Sequence, residues 1–170
     1  MSTIILFRGL PAVGKSFISD ETGKILKIAI IRKDDIYDSV YADISSHETR
    51  NQVCHKIIFK MIGTNLVIDT DLIIDCPFRN IDELEVLSSF VRERNGELKT
   101  ILCNCTDENL WEERFIERNA NPHPNNILID FKDLKKNYGN PDLEKFGDEL
   151  VVDTSKSLDE NILRIINYIR

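Results

Sequence analysis

Residues 9–16 read Gly9-Leu10-Pro11-Ala12-Val13-Gly14-Lys15-Ser16, a G-x-x-x-x-G-K-S pattern whose residue types suit a polyphosphate. Gly9 lets the chain leave a strand in a conformation that a Cβ resists, and Gly14 lets backbone come close to a phosphate. Successive N–H groups of such a turn face one concavity at a helix start, where the dipole favours an anion. Lys15 is placed to reach the β- and γ-phosphates of a nucleoside triphosphate, and the Ser16 hydroxyl to ligate Mg2+. The competing reading is a glycine turn that carries Lys-Ser by chance. The flanks decide against it: Thr3-Ile4-Ile5-Leu6-Phe7 precedes the loop as a strand would, and Phe17-Ile18-Ser19-Asp20-Glu21 follows it as a helix would. Residues 9–17, from Gly9 to Phe17, are therefore the expected cradle for ATP with Mg2+.

Phosphoryl transfer to a hydroxyl needs more: a carboxylate to take the proton, a carboxylate to hold the metal, and cations over the transferring group. Asp34 and Asp35 follow the short apolar run Ile28-Ala29-Ile30-Ile31. Asp34 is the candidate base or acceptor anchor. Asp35 reads as a helix cap that also touches Mg2+ through water, and the choice of base between the two stays open at this level. Two further runs, Leu66-Val67-Ile68 and Leu72-Ile73-Ile74, each end in an aspartate. The second precedes Cys76-Pro77, a strand-to-loop break, so Asp75 is the expected Walker-B-type metal carboxylate, with Asp69 as the alternative. Arg114 and Arg118 share a helix face ahead of a polar loop, which suits a lid closing over phosphate. The plainer alternative pairs them with Glu112, Glu113 and Glu117 on a solvated face. Arg79 is a candidate for contacting an anionic acceptor, and Asp153-Thr154 for the place where adenine rests. His47, His55 and His123 have no metal-ligand spacing.

These residues can meet only if the intervening elements bring them together. Spacing predicts a helix over 15–26, a buried parallel strand over 28–31 and a helix over 36–41. A longer helix follows over 46–62, with Ser45 or Ser46 as its cap and Val53, Ile57, Ile58 and Met61 at helical intervals. A strand over 71–75 leads to an amphipathic helix over 81–94, carrying Leu84, Leu87, Phe90 and Val91 and closed by Asn95-Gly96. Then come a strand over 98–105, a helix over 107–119, a loop over 119–126, a helix over 128–138 and a Gly139-Asn140-Pro141 turn. A strand over 149–153 and a helix from 158 end the chain. Strands alternating with helices predict a three-layer α/β/α sandwich on a mainly parallel five-stranded sheet, with right-handed crossovers. It forms a single domain over residues 1–170, with a small helical lid at about 112–132. Ligands of such sheets bind at the carboxyl ends of the strands, where the loop 9–16, Asp34, Asp75 and Asp153 all fall.

Composition limits the partners. The chain has 170 residues, 42% hydrophobic and 30% charged, enough for a sizeable core. No run approaches the ~18 apolar residues of a membrane span, and no basic region precedes the first apolar segment, so a cytoplasmic protein without a membrane partner is expected. The 22 basic and 29 acidic residues give a net charge of −7, which argues against nucleic acid as the main partner. Cys54, Cys76, Cys103 and Cys105 form no C-x-x-C pair and read as small buried hydrophobes.

Taken together, G-L-P-A-V-G-K-S, R-K-D-D-I-Y, L-I-I-D-C-P-F, N-C-T-D-E-N-L-W-E-E-R-F-I-E-R-N and V-V-D-T-S resemble the small P-loop kinase group. That group spans AAA-domain, zeta-toxin, chloramphenicol phosphotransferase and gluconate-kinase-like proteins. The R-K-D-D segment is most similar to the 5′-kinase domain of phage polynucleotide kinase, and the resemblance implies that Asp34 serves as general base. One position departs: where the group often has a basic residue that binds a phosphorylated acceptor, this chain has Tyr37. The expected function is an ATP-dependent kinase acting on a hydroxyl of a small molecule, as a monomer or homodimer. Its rivals are a polynucleotide or nucleoside 5′-hydroxyl kinase and a nucleotide-binding switch without an acceptor. In the switch, Asp34 would point away from the γ-phosphate. Residues 36–61, where the acceptor would be chosen, carry no recognisable pattern.

Overall fold

Strand β1 (Thr3–Gly9) is apolar on both faces because it lies in the middle of the sheet. The computed structural model describes residues 1–128, 130–138 and 143–170. Its sheet has the order β2-β3-β1-β4-β5, with β2 (Ile30–Arg32), β3 (Leu72–Asp75), β4 (Glu97–Asn104) and β5 (Leu150–Asp153). Every pairing is parallel. Alternation along β1 divides the core. Ile5 and Phe7 face helices α1 (Lys15–Leu26), α5 (Glu108–Ala120), α6 (Phe131–Tyr138) and α7 (Leu158–Ile169), whose apolar residues Ile18, Trp111, Phe115, Phe131, Leu134, Ile162 and Ile165 join the same cluster. Ile4 and Leu6 face α3 (His47–Val67) and α4 (Ile81–Arg92), through Ile58, Ile62, Leu66, Leu84, Leu87 and Val91. The remaining helix, α2 (Lys33–Ser39), follows β2. Among the described residues no helix is long and apolar enough to cross a membrane.

The three-layer α/β/α architecture is the expected one, with a sheet that is wholly parallel. All four cysteines are buried free thiols, and burial pushes Cys76 and Cys103 up to about 12, so they behave as hydrophobes. Several boundaries differ from the sequence expectation. β2 is a half-buried edge strand of three residues starting at Ile30, because only β3 lies beside it. α2 begins at Lys33 instead of 36, which draws Asp34 and Asp35 into its first turn. Arg32 occupies the N-cap position without a side-chain hydrogen bond, so Asp35 is not the cap. Ser46, not Ser45, caps α3 by accepting from the Thr49 N–H, and the helix runs five residues past 62 to Val67. After α4 the left-handed residue is Asn95 (φ 57°), not Gly96. Gly96 is needed for space: a Cβ there would collide with the Leu66 and Val91 side chains. α6 starts at Phe131 rather than 128, and the Gly139-Asn140-Pro141 turn lies outside the described residues.

Asp69 sits in the left-handed turn (φ 54°) between α3 and β3, 3.2 Å from the amino terminus. That is the amino end of the sheet, opposite the glycine loop, whereas Asp75 ends β3 beside it.

One polar contact in the interior has no counterpart in the sequence expectation. Arg8 and Glu149 are both fully buried and form a two-pronged ion pair, Nε to Oε1 at 2.7 Å and Nη2 to Oε2 at 2.7 Å. Arg8 also donates to the carbonyls of Phe78 (3.3 Å) and Glu144 (2.6 Å), and Glu149 accepts from the Phe146 N–H (3.2 Å). The pair ties β1, the loop after β3 and the entry to β5 into one corner. Removing one partner leaves an uncompensated buried charge, so Arg8→Met or Glu149→Leu alone should cost ~3–5 kcal/mol. The double substitution should cost less than the sum, as read by urea unfolding in a double-mutant cycle. Additive losses would mean that the two charges do not depend on each other.

Candidate active site

The carboxyl ends of the strands open on a cleft of about 1540 Å3. Its walls include the glycine loop, residues 32–35, Asp75, the start of α3, Arg79, and Arg114, Arg118 and Asn125 from the lid region.

The loop has the strained backbone that a phosphate cradle requires. Gly9 (φ 153°), Ala12 (φ 62°) and Gly14 (φ 92°) all have positive φ, and Gly14 is the N-cap of α1. A Cβ on Gly9 would strike the Cys103 carbonyl oxygen of the neighbouring strand. One on Gly14 would lie 3.2 Å from Arg114 Nη1 and 3.2 Å from Thr154 Oγ1. The loop is held from behind by its carbonyls. Trp111 Nε1 donates to Pro11 O at 2.9 Å, Thr154 Oγ1 donates to Val13 O, and Arg114 Nη1 reaches the same oxygen at 3.4 Å. The N–H groups of residues 12–17 find no acceptor among the described residues, which leaves them for a ligand anion. Leu10 and Val13 turn their side chains into the core, Pro11, Ala12 and Ser16 line the cleft, and Phe17 stands exposed at its edge.

Lys15 Nζ lies 2.6 Å from Asp75 Oδ1. Burial works against the lysine charge, but the Asp75 carboxylate, helped by Asp34, outweighs it and holds the pKa above the ordinary lysine value. Arg32 Nε is 3.8 Å from Asp75 Oδ2, and Arg32 also pairs with Asp20 and, at 3.7 Å, with Asp35. Beyond these two cations, no described residue donates to the buried Asp75 oxygens. A carboxylate held only by cations, with the Ser16 hydroxyl in the same cleft, fits a hydrated Mg2+. Among the described residues no three His, Cys, Asp or Glu side chains gather into a metal cage, and a Mg2+ held mainly by water and phosphate needs none.

Asp34 accepts a hydrogen bond from Asn125 Nδ2 at 2.5 Å, and its other oxygen lies 3.5 Å from Arg118 Nη2. The neighbouring Asp35 is far more exposed, with Arg32 as its partner. The two arginines of α5 make separate contacts. Arg114 braces the loop by donating to Thr154 Oγ1 (3.0 Å) and the Thr154 carbonyl (3.2 Å), while Arg118 faces Asp34 across the cleft. Neither is paired with Glu112, Glu113 or Glu117.

Other candidates fall further away. Tyr37 is buried off the cleft wall, its hydroxyl 2.6 Å from His47 Nδ1, because α2 packs that face against α3. The Arg79 guanidinium stacks 3.9 Å above the Tyr138 ring, both on the cleft wall. Thr154 lines the cleft, but the Asp153 carboxylate turns to Thr106 and Ser155 instead. Sequence reasoning missed Asn125, whose only signal was a polar loop, and the indole N–H of Trp111, which read as a core residue.

The sequence matches the AAA domain family model over residues 4–140. The comparison with curated proteins found no match. Among solved structures, a protein of Chloroflexus aurantiacus J-10-fl provisionally called a kinase superposes with a TM-score of 0.80 at 19% identity, over 99% of this chain and 98% of that one. The APS kinase CysC of Mycobacterium tuberculosis, in complex with AMPPNP and APS, gives 0.68 at 13% identity over 98% and 96%. A gluconokinase of Sinorhizobium meliloti 1021 gives 0.66 at 15% identity over 99% and 91%. At such identities the likeness is one of fold.

Asp153 supports the site from below. Burial would raise its pKa, but hydrogen bonds from Thr106 (Oγ1 2.5 Å, N 3.2 Å) and Ser155 (Oγ 2.7 Å, N 3.0 Å) outweigh it and lower the value from 3.8 to about 2. A carboxylate with a depressed folded-state pKa stabilises above its unfolded pKa and loses that contribution as pH falls. Asp153→Asn should therefore melt below wild type at neutral pH, and the gap should close between about pH 4 and about pH 2. Thermal unfolding across that range checks it, and a gap independent of pH would remove the ionised carboxylate from the account.

Proposed function

The chain belongs to the AAA domain family, and from that footing we propose that it is an ATP-dependent kinase phosphorylating a hydroxyl of a small molecule. The observation that carries this reading is the position of Asp34. Its carboxylate stands in the cleft that the glycine loop lines, close enough for its charge to act on Lys15. A switch without an acceptor predicts Asp34 turned away from the phosphate side of the cleft. The neighbours called APS kinase and gluconokinase, whose fold this chain shares, point the same way.

In the proposed reaction the N–H groups of residues 12–17 and Lys15 hold the β- and γ-phosphates. The acceptor hydroxyl gives its proton to Asp34 as its oxygen bonds the γ-phosphorus, and the bond from that phosphorus to the β-bridging oxygen breaks, releasing ADP. Arg118 lies over the same space and balances charge on the transferring group. Ser16 and Asp75 would hold Mg2+, which when bound neutralises phosphate charge. Arg114 and Trp111 keep the loop oriented. The net charge of −7 favours a small acceptor over a polynucleotide end.

A thermal-shift screen of hydroxylated metabolites, run with a non-hydrolysable ATP analogue and Mg2+, identifies the acceptor, since ligands of the native state raise its melting temperature. With that acceptor, Asp34→Asn should bind the analogue about as wild type does in calorimetry, yet transfer phosphate ~10²–10⁴-fold more slowly. Lys15→Ala should abolish turnover. Transfer at the wild-type rate by the Asp34 variant would overturn the base assignment, and unimpaired turnover by the Lys15 variant would overturn the nucleotide site.

A further inference from the structure

Lys33 takes no part in the chemistry above. It opens α2 immediately before Asp34 and lines the cleft, yet it is only 8% exposed. The other buried or half-buried cations on the cleft wall are engaged: Lys15 with Asp75, Arg32 with Asp20, Asp35 and Asp75, Arg79 with the Tyr138 ring, Arg114 with Thr154 and Arg118 with Asp34. Lys33 has neither an ion pair nor a hydrogen bond among the described residues. The Tyr37 ring, 6.0 Å from Nζ, is at the outer limit of a cation–π contact.

The stem is covered, and the ammonium faces the cleft with no protein partner among the described residues. None of the acids on the cleft wall pairs with Lys33. Asp34 is held by Asn125 and Arg118, and Asp38 Oδ2 lies 3.3 Å from His123 Nδ1. Two nearby imidazoles add no second cation: burial, with the Lys33 charge contributing, keeps His47 and His55 below the ordinary histidine value. The same cleft wall has two orphaned acceptors, Asp38 Oδ1 and Asn51 Oδ1, both buried without a hydrogen-bond partner among the described residues. An unpaired cation and unsatisfied acceptors on the walls of one cleft are complementary to an anion that also bears hydroxyl groups.

We propose that Lys33 is an acceptor-side oxyanion site: the molecule that offers a hydroxyl to Asp34 also carries a carboxylate or phosphate, which binds the Lys33 ammonium, while its other hydroxyls donate to Asp38 and Asn51. The assignment of this anion to the phosphoryl acceptor rests on the kinase reading. The anion site itself does not. Lys33 would thus choose the substrate, and Asp34, one residue on, would activate it.

The test uses the full chain and inorganic phosphate as probe, titrated by calorimetry with and without a saturating non-hydrolysable ATP analogue and Mg2+. With the glycine loop filled by the analogue, wild type should keep one phosphate site. Lys33→Gln should weaken that site ~10-fold or more, and Lys33→Arg should retain it. Melting curves confirm that both variants fold, and the arginine variant decides the matter if the glutamine variant does not. Turnover is then compared among a polyol, the corresponding sugar acid and the corresponding sugar phosphate. Activity confined to the acid assigns a carboxylate, and activity confined to the phosphate assigns a phosphoryl group. Phosphate binding unchanged in Lys33→Gln, no phosphate site besides the loop, or preferred turnover of the uncharged polyol would overturn the proposal. If the analogue does not bind wild type, the kinase reading fails, while the titration without analogue still judges Lys33 by its variants.

Discussion

An ammonium and a carboxylate 2.6 Å apart, Lys15 and Asp75, join the first turn of α1 to the end of β3. Both are nearly buried, and each answers a problem posed by the other. A lysine at the mouth of a phosphate loop needs a counter-charge while the loop is empty. A carboxylate buried at the end of a central strand needs a cation, and Lys15 and Arg32 are the groups beside it. In the proposed reaction each partner stands in for a ligand of opposite charge, the carboxylate for a phosphate and the ammonium for a metal cation. The contact also sets a register: β1 and β3 must be adjacent and parallel for the loop after one to meet the residue ending the other, and Phe7 pairs with Asp75 directly.

Around this pair the structure divides the loop's polar groups by direction. The carbonyls of Pro11 and Val13 are taken from behind by Trp111, Thr154 and Arg114, and the amide hydrogens are left toward the cleft. A flexible glycine loop could point either way. Fixing the carbonyls orients the donors before any ligand arrives, and such preorganisation makes dipoles effective in binding and catalysis. It also couples α5 to the loop, because Trp111 and Arg114 sit one turn apart on that helix, whose next turn carries Arg118. The close approach of Arg114 and Thr154 to Gly14 gives that glycine a second purpose besides its positive φ.

What the sequence disclosed and what it hid follow from distance along the chain. The phosphate loop is a local pattern, and its strand and helix lie within a few residues of it, so the whole unit could be read. Asp75 was preferred to Asp69 on the Cys76-Pro77 break, a local signal too, and the two aspartates end at opposite ends of the sheet. The Arg8–Glu149 pair joins residues 141 apart, and a lone arginine inside an apolar strand gives no sign of its partner. Asn125 reaches Asp34 across 91 residues from a loop whose composition says only that it is polar. Capping misled as well: the carboxylates after β2 suggested a cap, but α2 starts earlier, from Arg32, and takes both into its first turn. Tyr37 read as a replaced binding residue and is instead packing between α2 and α3, a distinction that depends on which face of a short helix is covered.

The proposed acceptor half of the cleft is the least legible part because it is lined by isolated side chains on α2 and α3, not by a periodic pattern. The proposed role of Lys33 nevertheless fits the overall charge. A polynucleotide is held by many surface cations whose contributions add, and its binding depends steeply on salt. This chain carries 29 acidic against 22 basic residues, and most cations along its cleft are occupied within the protein. One unpaired ammonium in a walled cleft does something different. In the proposed role it is matched by an anion small enough to enter and correctly placed once there, so it discriminates by shape as well as charge. An acidic exterior strengthens that choice by disfavouring the approach of large polyanions while leaving a short-range, screened interior contact intact. Net negative charge and the proposed anion site at Lys33 are thus compatible, the first acting at long range and the second at contact.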